Sequence, residues 1–318
     1  MFYKEKKVLV LQGHKMFGQC LIRKLLNQGA WVRASSEEPR KIQIEDKRLE
    51  VAECDLANPQ SAEPLFKDID IVFMTANKSA GAKVITEDPD SLLMYNISVQ
   101  PRLLHMAVKA NVQRVGFISS SYIYPDTGSP NVEEEGFTGD PWIPTNYGIG
   151  WTYRYLETLC KHFHMTTKTK FALIRPTAYY GPYDNFNPEE GHVIPSLIIK
   201  AVNRMNPYEV WGNGRDVRCF TYVEDLMGGF MQAVEKYPEA DALNICPGKS
   251  HTIKDVVGAI LKALDFHPEV VFNSGKPSAI PYKVSHPGKA KRVLGWEAQV
   301  DLEDGIRKTI EWYLEHKG

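Results

Sequence analysis

Cysteine is scarce and unpatterned in this chain: five residues, Cys20, Cys54, Cys160, Cys219 and Cys246, an odd number with no Cys-x-x-Cys pair. That argues against a disulfide framework or a zinc site and fits a reducing compartment. A long apolar run is missing too. The charged lead MFYKEKK passes into only four apolar residues, 8-VLVL-11, too few for a signal peptide or for a bilayer span of about 20 residues. A cytoplasmic protein with no membrane partner is expected. Charge of one sign is not in surplus either: 38 Lys and Arg stand against 39 Asp and Glu, a formal net charge of -1. Nothing in that balance marks a nucleic-acid partner, and no internal repeat or low-complexity tract is found.

What is present is an alternation. Apolar or β-branched runs at 8-VLVL-11, 31-WVRA-34, 71-IVFMT-75, 114-RVGFIS-119 and 171-FALIR-175 are separated by segments of helical periodicity such as 18-GQCLIRKLLNQG-29 and 97-ISVQPRLLHMAVKAN-111. Such alternation builds βαβ units, and the expected fold class is α/β: a Rossmann-type doubly wound parallel sheet. After Arg175 the texture shifts to loops rich in Pro, Gly, Asn and aromatic residues, 176-PTAYYGPYDNFNPEEGHVIP-195. A smaller C-terminal substrate-binding region is therefore expected. At 318 residues the chain suits two domains. The division expected is a dinucleotide-binding part, 1–176 with about 220–250, and a second part, 177–219 with 251–318. The helix 224-EDLMGGFMQAVEKY-237 and the strand 242-ALNI-245 return the chain to the first part before a helical tail at 300–317.

The first strand runs into 12-QGHKMFG-18 and then a helix, the context in which a glycine turn delivers a diphosphate to a helix N-terminus. Gly13 and Gly18 flank His14, but the middle glycine is missing or filled by Lys15 or Met16. The second strand offers Ser35, Ser36 and Arg40 in place of an acid at its tip, which tilts the cofactor toward NADP over NAD without settling it. Asp55, after the third strand, is placed to meet adenine, to cap a helix, or both. Farther on, 118-ISSSYIYP-125 follows another strand, and Tyr147 lies about a helix's length downstream. A strand-end serine and a tyrosine above a nicotinamide form a proton relay for hydride transfer. A free phenol has a pKa of about 10, so its use as a base at neutral pH calls for a nearby cation.

The segments 8-VLVLQGHKMFG-18, 118-ISSSYIYP-125, 143-IPTNYG-148, 175-RPTAYYGPYDNF-186, 191-GHVIPSLI-198, 211-WGNGRDVRCFTYVEDL-226 and 293-VLGW-296 cover nearly the whole chain. Through them it resembles the extended short-chain dehydrogenase/reductases that act on nucleotide-activated sugars, and within these the GDP-L-fucose synthase branch. The resemblance implies an NAD(P)-dependent oxidoreductase or epimerase transferring hydride at sugar C4 of a GDP-linked substrate. Carried over residue by residue, it makes Ser120 and Tyr147 the relay, with Tyr147 also on the cofactor, and His192 an acid for epimerase-like proton steps. It puts Lys200 and Arg218 on the diphosphate and Tyr122 and Trp211 at the substrate, and makes Asp225 a structural or substrate-loop residue.

The departures matter as much. Trp151 stands where the family has lysine, Tyr122 where the branch has a cysteine used in epimerisation, and Ala178 where an asparagine touches substrate. Three readings of Trp151 are open: another cation substitutes, Lys15 or Lys83; the charge of the oxidised nicotinamide does part of the work; or the protein is a silent relative that binds a nucleotide sugar without turnover. The resemblance also implies a homodimer through helices at 92–108 and 149–163, with Trp151 leaning toward that interface. Among the remaining features, the aromatic cluster Tyr179, Tyr180, Tyr183 and Phe186 either stacks a base or sugar or packs a core. The pair His162 and His164 reads as surface and not as metal ligands, and 133-EEE-135 as a solvated loop.

Overall fold

A computed structural model describes residues 1–79, 81–142, 147–276 and 280–316. The first half alternates as expected: β1 (Lys7–Val10), α1 (Met16–Asn27), β2 (Trp31–Ser36), β3 (Leu49–Glu53), a single turn α2 (Pro59–Ala62), β4 (Ile71–Met74), α3 (Ala82–Glu87), α4 (Pro89–Lys109), β5 (Arg114–Ile118), α5 (Tyr147–Thr166) and β6 (Lys170–Pro176). Then follow β7 (Ala178–Tyr180), α6 (Val193–Val202), β8 (Tyr208–Trp211), β9 (Val217–Arg218), β10 (Phe220–Tyr222), α7 (Val223–Lys236) and β11 (Leu243–Ile245). The chain closes with β12 (His251–Thr252), α8 (Ile253–Ala263), β13 (Val270–Asn273), β14 (Tyr282–Lys283), α9 (Gly288–Leu294) and α10 (Leu302–His316).

Seven strands form one parallel sheet in the order β11-β6-β5-β4-β1-β2-β3. Both faces are covered, so its central strands are apolar throughout and do not alternate; all four residues of β4 are buried. On one face α1 and α7 pack with Leu21, Leu25, Leu226 and Phe230 in the core. On the other, α4 and α5 pack through Leu103, Leu104, Leu156 and Cys160. Helix α4 starts where it does because Pro89 opens its first turn and the Asp88 carboxylate accepts from the Ser91 N–H at 3.2 Å. Since β1 lies between β4 and β2, the chain leaves these two neighbours in opposite directions. The crevice beyond the ends of β1 and β4 is thus the point where the strand order reverses.

The later elements build three small sheets, β7 with β10, β12-β9-β14, and β8 with β13. A third core, with Ile194, Ile198, Tyr208, Ile253 and Ile306, joins α6, α8 and α10 to them. Helix α9 and Trp296 return to the core under α1 and α7. The run 133-EEE-135 departs from the solvated loop expected. It forms a 3-10 turn over Glu133–Phe137 in which Glu133 is buried, its Oε1 accepting the Asn244 N–H at 2.8 Å. A backbone donor of the edge strand β11 recruits the first acid of the run, and burial pushes that carboxyl up from its ordinary value.

Candidate functional site

A cavity of about 720 Å³ opens at the C-terminal ends of β4, β5 and β6, between them and the later elements. The strand-end loop 118–122, the start of α5, residues 77–79 and the segment 188–200 all line it.

The glycine loop fits a close-packed turn. A Cβ on Gly18 would lie 2.5 Å from the Gln12 carbonyl oxygen and 2.5 Å from Gly13 Cα, and one on Gly13 only 2.8 Å from Ala34 Cβ. The two glycines let the loop fold back onto the first turn of α1 and against β2. Gln12 takes φ 50, and its Oε1 is buried without a partner among the described residues, an orphaned acceptor in the loop where a dinucleotide would lie. His14 Nδ1 and Ser36 Oγ are bonded to each other at 3.0 Å, and both residues are buried. Burial holds His14 below its ordinary value, with Lys15 adding to the effect.

Arg40 is exposed on the short turn Pro39–Lys41. β2 ends at Ser36, and the exposed acids Glu37 and Glu38 follow directly, Glu38 pairing with Lys41 at 2.7 Å. The strand tip is therefore more acidic than the sequence pattern indicated. Asp55 is exposed and accepts from the Ala57 N–H at 2.8 Å; the cap of α2 is Asn58.

Ser120 and Tyr147 share the cavity wall. Ser120 caps the 3-10 turn Ser121–Ile123, its Oγ accepting from the Tyr122 N–H at 3.2 Å, and Tyr147 is the first residue of α5. Residues 143–146 of the motif before Tyr147 lie outside the described residues. Trp151 is 43% exposed and does not line the cavity; it meets the Tyr147 ring edge-on at 6.3 Å and carries the Arg154 guanidinium 4.7 Å above it. Lys83 is tied to Glu189. His192 precedes α6, with Nδ1 3.3 Å from Asp184 Oδ1 and its ring edge-on to Tyr179 at 5.3 Å. Tyr179 bonds Ser79 at 3.0 Å and packs on Phe17, and burial drives its phenol well above the ordinary value. The rest of the aromatic cluster is packing: Tyr180 lies in the third core, Tyr183 stacks with Trp312 and Arg23, and Phe186 with Tyr313. Asp225 clasps the C-terminal segment, accepting the Gln299 and Val300 N–H groups at 2.8 Å each.

The far wall is cationic. Lys200 donates to the Glu209 carbonyl at 3.0 Å and, with Lys276, flanks the Trp211 ring at 5.6 and 5.7 Å. Arg218 is buried, donates to the Val217 carbonyl at 2.8 Å and lies 3.5 Å from Asp216. Lys283, which the sequence reading missed, places Nζ 3.2 Å from the centre of the Tyr122 ring. Burial first, then Arg218, holds its ammonium well below the usual lysine range. The register of β9 with β14 sets Lys283 beside Arg218; no local spacing could reveal a pairing so distant in sequence. Tyr153 was missed for the opposite reason. It reads as an ordinary core position of α5, yet it lines the cavity, and burial pushes it up to about 12, with Asn77 and Gln100 opposing the rise.

Residues 8–246 match the model of the NAD dependent epimerase/dehydratase family. The chain belongs to that family. Among relatives of this epimerase/dehydratase, a putative GDP-L-fucose synthase 2 of Arabidopsis thaliana is 27% identical, covering 99% of this chain and 94% of its own length. The GDP-L-fucose synthase of Escherichia coli K12 is 27% identical, over 78% and 81%. An epimerase from Methanothermobacter thermautotrophicus superposes with a TM-score of 0.85 at 25% identity, over 99% of this chain and 94% of that one. A UDP-glucose 4-epimerase of Thermotoga maritima gives 0.86 at 23%, over 98% and 100%, a likeness of fold. For the dinucleotide of the family, the glycine loop and the crevice between β1 and β4 are a fitting place, and the orphaned Gln12 Oε1 lies in that loop.

Proposed function

We propose that this epimerase/dehydratase is an oxidoreductase or epimerase of a GDP-linked sugar, with hydride transfer at sugar C4. One observation carries the reading: Lys200, Arg218 and Lys283 converge with Trp211 on the same cavity that Ser120 and Tyr147 line. Three cations with the single carboxylate Asp216 among them suit a diphosphate, and an indole between two ammonium groups suits the flat base or ribose beside it. The bound nicotinamide supplies or takes the hydride. Tyr147 then exchanges a proton with the sugar hydroxyl while Ser120 polarises its oxygen, and His192 serves any proton step on the sugar ring. The GDP group is taken from the fucose synthase relatives. The acidic tip of β2 disfavours a 2′-phosphate, so NAD is the cofactor read here in preference to NADP. We assign dinucleotide binding to 1–176 with about 220–250 and sugar binding to 177–219 with 251–318, in a cytoplasmic homodimer.

The test has two steps. Dinucleotide released on denaturing the purified protein is identified by mass, and the protein is then given a GDP-linked 4-keto sugar with reduced cofactor. Consumption of the cofactor is expected, reduced about 10²- to 10⁴-fold in Tyr147→Phe. A protein that binds both ligands and never oxidises or reduces either would overturn the reading.

A further inference from the structure

The loop between β7 and α6 doubles back on itself and sets an acid behind a histidine. His192 lines the cavity just ahead of α6, and its Nδ1 lies 3.3 Å from Asp184 Oδ1. The Asp184 side chain is 5% exposed against 27% for His192, and it takes no part in the cavity wall. Oδ1 also accepts the Asn185 N–H at 2.8 Å, whereas Oδ2 is buried with no hydrogen-bond partner among the described residues. A buried carboxylate oxygen in that state is a cost to the fold, and it leaves the charge of the anion directed at the imidazole beside it.

The chain is built to hold the two together. A Cβ on Gly191 would lie 2.2 Å from the Asn185 carbonyl oxygen and 2.7 Å from that of Asn187, so glycine lets the segment between Asp184 and His192 close on itself. Before Asp184, Tyr183 takes φ 67, a left-handed conformation that costs a bulky residue energy and tends to gather at functional sites. Neighbouring helices hold that tyrosine in place: Arg23 of α1 donates to its hydroxyl at 2.5 Å, and the Trp312 ring of α10 packs on it at 4.6 Å. Tyr179, bonded to Ser79 at 3.0 Å, meets the imidazole edge-on at 5.3 Å. With Nδ1 taken by the acid, Nε2 is the nitrogen left for a substrate.

We propose that Asp184 is the positioning residue for His192: it accepts from Nδ1–H, fixes that tautomer, and leaves Nε2 to exchange a proton with a carbon beside the keto group of the sugar. Nε2 takes the proton while the C–H electron pair moves onto the keto oxygen, giving an enolate, and a proton returned to the carbon completes the step with no oxidant or reductant. The inference rests on the reading of the cavity as a site for a 4-keto sugar.

The experiment follows deuterium uptake from heavy water into a GDP-linked 4-keto sugar by mass, with hydride transfer alongside, for the full chain and for Asp184→Asn, His192→Gln and the two together. Nitrogen-15 NMR of the protein without substrate reports which imidazole nitrogen carries the proton, His192→Gln marking the signal that belongs to this residue. The neutral ring in the wild type should carry its proton on Nδ1. Asp184→Asn should slow the uptake about tenfold to a hundredfold at an unchanged KM, with GDP binding and thermal melts unmoved. Because the acid acts through the histidine, the double variant should be no slower than His192→Gln alone. A proton on Nε2, an Asp184→Asn variant as fast as the wild type, or losses that multiply in the double variant each overturn the dyad and leave the proposed hydride transfer standing. Parallel loss of GDP binding and melting temperature in Asp184→Asn marks a folding role and also overturns it, as does a wild type that transfers hydride without taking up deuterium. A wild type that does neither removes the functional reading and the dyad together.

Discussion

Lys283 shows what a single side chain adds to a binding site. Its ammonium sits against an aromatic face, and burial disfavours its charge. A diphosphate arriving beside it favours the charged form. With the folded value below the ordinary one and the ligand raising it, substrate binding takes up a proton between those two values. Calorimetry of GDP binding in buffers of different ionisation enthalpy should register this uptake below the ordinary lysine range, and it should vanish in Lys283→Met along with about tenfold or more of the affinity. Equal binding heats in all buffers would contradict it. At this scale the sequence was partly legible. Ser120, Tyr122, Tyr147, Tyr179, His192, Lys200, Trp211 and Arg218 all line the cavity, because their motifs sit in strand ends and loops whose order along the chain is informative. Arg40 and Asp55 lie exposed in the loops beyond β2 and β3, where local pattern says little about what a side chain faces.

At the scale of elements, α5 is joined to the strand ends by a buried ion pair. Arg175 of β6 holds Glu157 through two bonds of 2.8 and 2.6 Å, Ser119 at the end of β5 donates to the same carboxylate, and Arg175 continues to the Tyr124 hydroxyl at 3.1 Å. The loop that presents Ser120 and Tyr122 is thus anchored at both ends to the helix that presents Tyr147. Removing one partner strands a buried charge, so Glu157→Ala is expected to cost roughly 3–5 kcal/mol in thermal or denaturant unfolding, whereas the exposed pair of Lys262 with Glu303 should cost under about 1. The long strands and helices were readable, since their periodicity is local. The small sheets were not: β9, β12 and β14 have two residues each and exist only through partners far along the chain.

For the whole molecule, the outer face of α4 and α5 carries Met94, Ile97, Trp151 and Tyr155, exposed at 60, 41, 43 and 53%. Scattered apolar side chains are ordinary, but four on two packed helices are what a second copy would cover. Light scattering should return twice the chain mass, and Met94→Asp with Tyr155→Asp should return the chain mass while NAD binding persists; a wild-type monomer at all concentrations would refute the dimer. The sheet's architecture was legible because fully covered parallel strands read as short apolar runs.

The pairing of β9 with β14 carries a further consequence for how the protein is made. The parallel sheet has all its strands once Ile245 has been synthesised, yet Arg218 gains its first cross-strand neighbour only with His251 and its second, Lys283, later still. A ribosome that halts between those points releases a chain with every strand of the parallel sheet but without Lys283, one of the cations on the cavity. Such a product could compete for dinucleotide while having no complete place to put a sugar.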